Sequence, residues 1–469
     1  MIVHLISLIL LFLNYFSAPQ NISQEYISNI LIIVLINLIV FFRNKNRKRI
    51  FKTRFLNNTN IFIILYVIVS FQIALDYVLG NVYINYDYYF YDMSIVNQSV
   101  SFSALCLIAY LIGVDKFNLS NQFYIHKEDV QVTTLIPLKP IYNIMIGLWG
   151  VFILFLNPEY INGGHGSVSV NGISIAAYGY FWRINIVYLA ISLLNNKDRG
   201  LNLCSIIKTL PYSYWFLIIL SSALFMMAHN RVYTLYLLVP LFFYTQILSR
   251  VKLGAMRSSL IILCVAIFFT LFKLYGISTM FSSSSNLNVA ELDNYDRFTS
   301  ISPFTSELAA SKFSDTVLFY LWYKNGIMVF GSTFLFGLLR MISGLVPLFF
   351  MMTGLTMNTY DSASVATIYV GSSYGIGSTI TGDLLLSVGF LGSIITMFIF
   401  GYYCSKSDVS LIRNQNLSTP IPLIILLSFS SQIVFVARGS LCDIIATTLF
   451  CVLFYKIYIY MINKKFVKV

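Results

Sequence analysis

The chain has 469 residues, of which 58% are hydrophobic and only 10% charged, with a formal net charge of +12. A soluble domain clothes itself with roughly a quarter charged residues, so this composition excludes a soluble globular protein and points to a polytopic membrane protein. The positive balance would suggest nucleic acid in a soluble chain; here it is tested first against the tendency of basic residues to stay on the cytoplasmic side, and no nucleic-acid partner is expected.

Continuous apolar runs lie at about 2–17, 26–42, 59–79, 97–114, 140–156, 174–194, 213–228, 232–248, 258–275, 382–403, 419–437 and 443–460. Each is near the ~20 residues that cross ~30 Å of hydrocarbon, and none alternates as a barrel strand would. The expected fold is an all-α helical bundle of about twelve transmembrane helices. The first run lacks a basic flank and a small-residue cleavage site, which reads as an uncleaved span.

After the second run comes RNKNRKRIFKTR, with Arg43, Lys45, Arg47, Lys48, Arg49, Lys52 and Arg54. This is the strongest topological signal in the chain, and anchoring accounts for it fully. Counting onward, alternate loops hold Lys116, Lys127 and Lys139; Lys197, Arg199 and Lys208; Arg250, Lys252 and Arg257; Lys406 and Arg413; and Lys464, Lys465 and Lys468. These place 21 of the 30 basic residues inside, with both termini cytoplasmic. Lys456 lies at the inner end of the last span, and the other eight resist the rule, namely Arg183, Arg231, Lys273, Arg297, Lys312, Lys324, Arg340 and Arg438.

Three regions follow: a membrane domain over 1–275, a large outward loop over 276–381, and a membrane domain over 382–469. The loop is polar at both ends, with an apolar middle from Val317 to Thr353. That middle reads as helices lying on the membrane, a re-entrant pair, or two further spans that would raise the count to fourteen. A single extra span is excluded because it would put the final lysines outside. Ser302-Pro303 and Gly326 bracket an expected helix over about 303–325.

An early outer loop, NVYINYDYYFYD, carries Tyr88 and Tyr89 among six aromatic rings. Such rings favour the membrane interface, and they also stack against sugar faces. Arg183 sits within a span, where an unpaired charge costs at least ~2.5 kcal/mol. It requires either an ion pair, with Asp76 or another outer-side acid, or a cavity. Arg231 and Arg438 occupy tight outer turns between spans, while Arg297 and Arg340 come from the large loop. Each alone can snorkel to lipid headgroups; together they can grip a pyrophosphate through bidentate guanidinium contacts. Thirteen carboxylates lie on the outer side, Glu307, Asp361 and Asp443 among them. Asp383 differs in opening a span, where a helix N-terminus favours an anion and the carboxylate can face a cleft at the membrane surface, or simply cap the helix. His165 in NGGHGS is a weaker base candidate. No Gly-Lys phosphate loop, HExxH or GxSxG is present, and six scattered cysteines suggest neither a disulfide framework nor a metal site.

HNRVYTLYLLVPLFF, YGIGSTITGDLLLSVGFLGSIITMFIFG and VARGSLCDIIATTLF, with the late outer loop, resemble the O-antigen polymerases, or oligosaccharide repeat-unit polymerases. These stretches are similar to the family's short arginine turn, its glycine-rich exit from the large loop and its closing pair of spans. The family often has glutamate where Asp383 stands, and His229 and Asn230 replace its usual glycine and serine.

The resemblance implies a bacterial inner-membrane enzyme that polymerises undecaprenyl-pyrophosphate-linked oligosaccharides at the outer face, without a cofactor or metal. A chain-length regulator and an O-antigen ligase are its implied partners. Arg231, Arg297, Arg340 and Arg438 would stabilise the leaving pyrophosphate and Asp383 would act as base or positioner. Arg183, His165, Glu307, Asp361, Tyr88 and Tyr89 would contact substrate. Two rival readings are a flippase of lipid-linked oligosaccharides and a lipid-phosphate glycosyltransferase using Asp87 and Asp92. Two similar halves and short loops would mark the flippase, and this chain has neither.

Overall fold

The computed structural model describes residues 1–44, 54–82, 84–121, 135–157, 172–196, 200–227, 231–251, 253–261, 264, 305–342, 344–354, 361–372, 375–412 and 419–466. Its described helices are α1 (Ile2–Phe16), α2 (Gln24–Arg43), α3 (Asn58–Val78), α4 (Val96–Asn121), α5 (Lys139–Leu154), α6 (Gly172–Asn195), α7 (Tyr212–Met227) and α8 (Arg231–Leu248). There follow α9 (Lys312–Tyr323), α10 (Ser332–Leu339), α11 (Leu345–Thr353), α12 (Ser362–Val370), α13 (Ile380–Ile412), α14 (Ile421–Val436) and α15 (Leu441–Phe466), with a few single turns. Among the described residues the only β pairing is two isolated bridges, Arg54 with Leu253 and Leu201 with Ser249. Five of these segments are long and apolar enough to cross a membrane: α2, α3, α4 with the turn before it, α13 and α15. Five shorter apolar helices, α1, α5, α7, α8 and α14, accompany them. The chain is therefore an all-α membrane protein.

Local chemistry starts several of these helices. Ser23 accepts the Tyr26 N–H at the head of α2 and Asn57 accepts that of Asn60 at the head of α3. Such caps satisfy donors that the first helical turn leaves without partners. Asp408, near the end of α13, accepts from the Asn58 and Thr59 N–H groups at 2.9 and 3.0 Å and from the Thr59 hydroxyl at 2.6 Å, so it also serves the α3 N-terminus.

The helix ends sort into two faces. On the first, the Met1 amino group approaches Asp115 of α4, Asn195 bonds the Ile136 carbonyl, and the Phe55 N–H donates to Leu253. On the opposite face Asn97 bonds the Pro19 and Asn21 carbonyls, Gln24 bonds Val78, and the Ile380 N–H reaches Ala437. Helices α1 to α8, and again α13 to α15, alternate between these faces, as an antiparallel bundle requires.

Two apolar cores fill the bundle, one around α1 to α4 and α13, the other around α5 to α8 and α15, and α14 contributes to both. The closest backbone approach joins α4 to α13: a Cβ at Gly113 would collide with the Phe398 carbonyl, and one at Gly401 with Tyr110. Only hydrogen fits there, and small residues let membrane helices pack backbone to backbone.

Between α8 and α13 the described chain covers the second face with short helices. The helix expected over 303–325 appears as the turn Ser306–Ala309 and the twelve residues of α9, and Gly326 beyond it has φ of +65°. The middle from Val317 to Thr353 forms no spanning helix. Its pieces α10 and α11 have 8 and 9 residues, about 12 and 13 Å at the α-helical rise, less than half of a ~30 Å hydrocarbon core.

Helix α13 is broken at Gly389, whose φ of 71° and ψ of −175° lie where only glycine is comfortable. Such a break frees carbonyls in the preceding turn, and the loop before α10 takes them up. The Val329 N–H donates to Leu386 at 2.9 Å and the Gly331 N–H to Ser387 at 2.7 Å. The covering segment is thereby bonded to the backbone of a spanning helix.

Candidate functional site

Asp383 lies in the first turn of α13, one helical turn after Thr379, whose carbonyl accepts its N–H. Of the two readings of this carboxylate, facing a cleft at the membrane surface or capping the helix, neither anticipated its burial, with 1% of its surface accessible. Ser362, the first residue of α12, donates to one oxygen at 2.6 Å, and Ser440, on the turn before α15, donates to the other at 2.7 Å. Ser378 bonds Ser362 in turn at 2.8 Å. An isolated carboxylate would be costly to bury; two hydroxyl donors offset part of that cost and fix its orientation. Asp383 thus ties together the covering segment, α13 and the last helix pair, and a base role for it would require those serines to move.

Beside it, Arg340 follows α10 and sits between two carboxylates. Its Nη2 is 3.5 Å from Asp361 and its Nη1 3.6 Å from Asp443, while its guanidinium carbon lies 4.3 Å above the Phe336 ring. These are loose ion pairs at a partly open position. Asp361 is also the N-cap of α12, accepting from the Ser364 N–H and hydroxyl. Asp443 occupies the first turn of α15.

Arg183 makes no pair with Asp76, contrary to expectation. Asp76 belongs to the other half of the bundle, within electrostatic reach of Tyr86 and Tyr89. Arg183 instead donates to the Met341 carbonyl at 3.0 Å and the Arg340 carbonyl at 3.4 Å. Its guanidinium lies 5.3 Å from the Trp182 ring and 5.5 Å from Phe450. A cation placed at the C-terminal carbonyls of α10 complements the helix dipole. Its effect on the site is to hold the backbone of Arg340.

The tyrosine loop also departs from expectation. Tyr89 is 1% accessible and offers no face to a sugar, because α9 packs over it and the Thr316 hydroxyl bonds its carbonyl. Tyr88 remains exposed and stacks on Phe313 of α9 at 5.2 Å with planes 9° apart. Tyr91 meets Phe313, Tyr320 and Tyr369 edge-on, and burial, followed by the neighbouring Tyr369 phenol, pushes its pKa up to about 12.

The remaining expected residues are placed as follows. Arg438 is exposed on the turn from α14 to α15, two residues before Ser440. Arg231 opens α8, and Glu307 lies in the turn before α9; the side chains of both are outside the described structure. His165 and Arg297 lie outside the described residues. The geometry therefore brings together Asp383, Arg340, Asp361 and Arg183, and adds Ser362, Ser378, Ser440 and Asp443. Of these additions only Asp443 carried a sequence signal, a carboxylate opening a span as Asp383 does.

A second buried polar cluster pairs Lys312, one of the eight basic residues away from the inner loops, with Asp315, a pairing the sequence did not show. Lys312, wholly inaccessible, bonds Asp315 at 2.7 Å and Ser99 of α4 at 3.1 Å. Asp315 also accepts from Thr379 at 2.9 Å and Thr381 at 2.6 Å, at the start of α13. The pair locks α9 onto α4 and onto the turn that positions Asp383. Among the described residues no group of three or more His, Cys, Asp or Glu side chains is arranged to hold a metal.

No family model, curated protein or solved structure matches the chain.

Proposed function

We propose that the protein polymerises lipid-linked oligosaccharide repeat units, transferring a growing glycan from an undecaprenyl-pyrophosphate carrier to a sugar hydroxyl of the next unit. The observation that carries this reading is Arg340 bracketed by Asp361 and Asp443, with Asp383 buried alongside, where the covering segment meets the last two helices. That arrangement sets a cation and partly open carboxylates together at the mouth of an apolar bundle. In the reading's topology, twelve spans have both termini in the cytoplasm of a bacterial inner membrane, and residues 276–381 are periplasmic. Eleven described helices coincide with eleven of the twelve apolar runs, and their alternation between faces supports that count. The twelfth run, 258–275, falls largely outside the described residues.

In the transfer, an acceptor hydroxyl oxygen attacks the anomeric carbon and a new glycosidic bond forms. The bond from that carbon to the pyrophosphate oxygen breaks, and its electron pair leaves with the carrier. Negative charge grows on the pyrophosphate, and a preorganised guanidinium at Arg340 stabilises it more in the transition state than before. Arg438 on the adjacent turn extends the cationic surface, and Arg231 and Arg297 are assigned the same role. Asp443 or Asp361, both more open than Asp383, takes the acceptor proton, and Asp383 holds the serines and backbone that position them. Arg183 fixes the backbone of Arg340. Exposed Tyr88 offers a ring face for sugar stacking. A chain-length regulator and a ligase would act beside the enzyme.

Deletion of the gene in its host distinguishes this function from lipid-linked oligosaccharide flipping. A polymerase mutant exports single repeats and presents them on the surface without long chains. Loss of every externalised repeat would instead establish a flippase and refute the proposal.

A further inference from the structure

Three observations converge on the pair formed by α10 and α11. The first is their surface. Met351 and Met352 are each 77% exposed, and Leu338, Ile342 and Leu348 are also open. Such a patch on a surface in water would be an association hazard.

The second is the depth of the connection between them. Arg183, which holds the Arg340 and Met341 carbonyls, lies eleven residues along α6 from Gly172, about 16 Å at the helical rise. Phe450, against which that guanidinium rests, lies nine residues along α15 from Leu441, about 13 Å. Side chains lean back toward the helix N-terminus, which for both helices is the Asp383 face, so the contact sits on the order of 10 Å below the helix ends. That is within the depth of an outer hydrocarbon leaflet. Irregular backbone at such a depth needs its carbonyls satisfied by protein, and Arg183 does so for two of them.

The third is continuity. Helix α10 packs on the start of α15, where a Cβ at Gly337 would collide with Cys442. The open apolar residues of α15, Ile445, Leu449, Leu453 and Ile457, recur every fourth position and form one stripe along its length. Helix α10 therefore lies beside the N-terminal end of that stripe.

We infer that α10 and α11 form a re-entrant hairpin whose open face lies in the hydrocarbon of the membrane leaflet on the Asp383 side. Hydrocarbon chains are its partner, and Arg183 is the device that makes the tip tolerable there. The hairpin carries Arg340 at its turn, so this placement sets the guanidinium at the lipid boundary beside the bundle. The inference stands independently of glycan polymerisation, because its test reads location and not turnover.

The experiment uses the full-length protein in proteoliposomes, with exposed Cys204 and Cys264 replaced by serine. Single cysteines at Met351, Met352, Leu449 or Asp87 are labelled with bimane. The labels are quenched either by lipids brominated on their acyl chains or by aqueous iodide. Met351→Cys and Met352→Cys are expected to lose fluorescence to brominated lipid as fully as Leu449→Cys, and to resist iodide, which quenches Asp87→Cys. Iodide quenching of both hairpin sites at the Asp87→Cys level would overturn the inference. So would quenching by neither agent, which would mean that protein covers the face.

Discussion

Substitution of Lys312 by methionine removes one partner of the buried pair while keeping an unbranched chain of similar length. Asp315 would then stay in the interior with only the Thr379 and Thr381 hydroxyls as donors, at 2.9 and 2.6 Å. Its charge would have no cation, since Lys312 at 2.7 Å is the one ion-pair partner it has among the described residues. Breaking a buried pair from one side costs about 3–5 kcal/mol, because the surviving charge is uncompensated. Replacing both residues, Lys312→Met with Asp315→Leu, leaves two threonine hydroxyls without their acceptor, at about 1–3 kcal/mol each, but removes the buried charge. The double variant is therefore expected to lose less than the two single variants' losses added together, a non-additive cycle. Denaturant titration in detergent, followed by tryptophan fluorescence, gives the four free energies. A loss below about 1 kcal/mol for Lys312→Met, the range of solvated pairs, would refute the claim that this pair is dry and locks α9 in place.

Other perturbations test other joints. Gly389→Ala places a side chain at φ of 71° and a Cβ 3.2 Å from the Met328 thioether methyl, and should cost about 1–3 kcal/mol in the same titration. Asp408→Ala removes the acceptor for the first N–H groups of α3 and is expected to cost about 0.5–2 kcal/mol, with Asp408→Asn recovering part of it. Tyr91 supplies a pH test. Its raised pKa means that the folded state holds the phenol proton more tightly than the unfolded chain does. That contribution is complete below about pH 10 and is lost as pH rises through about 12. The Tyr91→Phe variant should lose correspondingly less stability across that window.

Much of the membrane architecture is legible in the sequence because it depends on one-dimensional quantities. Apolar run length marks eleven described helices, with starts within two residues of the runs and some ends that extend further, by nine residues in α13. The site was legible where a residue's cost is visible locally: Arg183 in a span, Asp383 at a span start, Arg340 away from the inner loops. What those residues touch was not legible. Arg183 chooses backbone carbonyls from a segment some 157 positions away, for which no complementary residue type exists to be read. Ser362 and Ser440 are ordinary serines until folding brings them to Asp383. Lys312 stood out as a basic residue away from the inner loops and Asp315 was one of many outer carboxylates, but their pairing and burial by α4 and α13 is a tertiary fact. Gly389 in LLLSVGFLG looks like any membrane-helix glycine, and the break shows only in its dihedral angles. Tyr89 failed as a sugar contact for a similar reason: its loop reads as exposed in sequence, but its neighbours in space are those of α9.

The central claim is tested most directly with purified protein in proteoliposomes supplied with undecaprenyl-pyrophosphate-linked repeat units and no other enzyme. The account expects a ladder of lipid-linked oligomers from the wild type and loss of the ladder from Arg340→Ala, with the variant's unfolding free energy near that of the wild type. A wild-type protein that leaves the repeats as monomers, or an Arg340→Ala variant that makes the same ladder at the same rate, would contradict it.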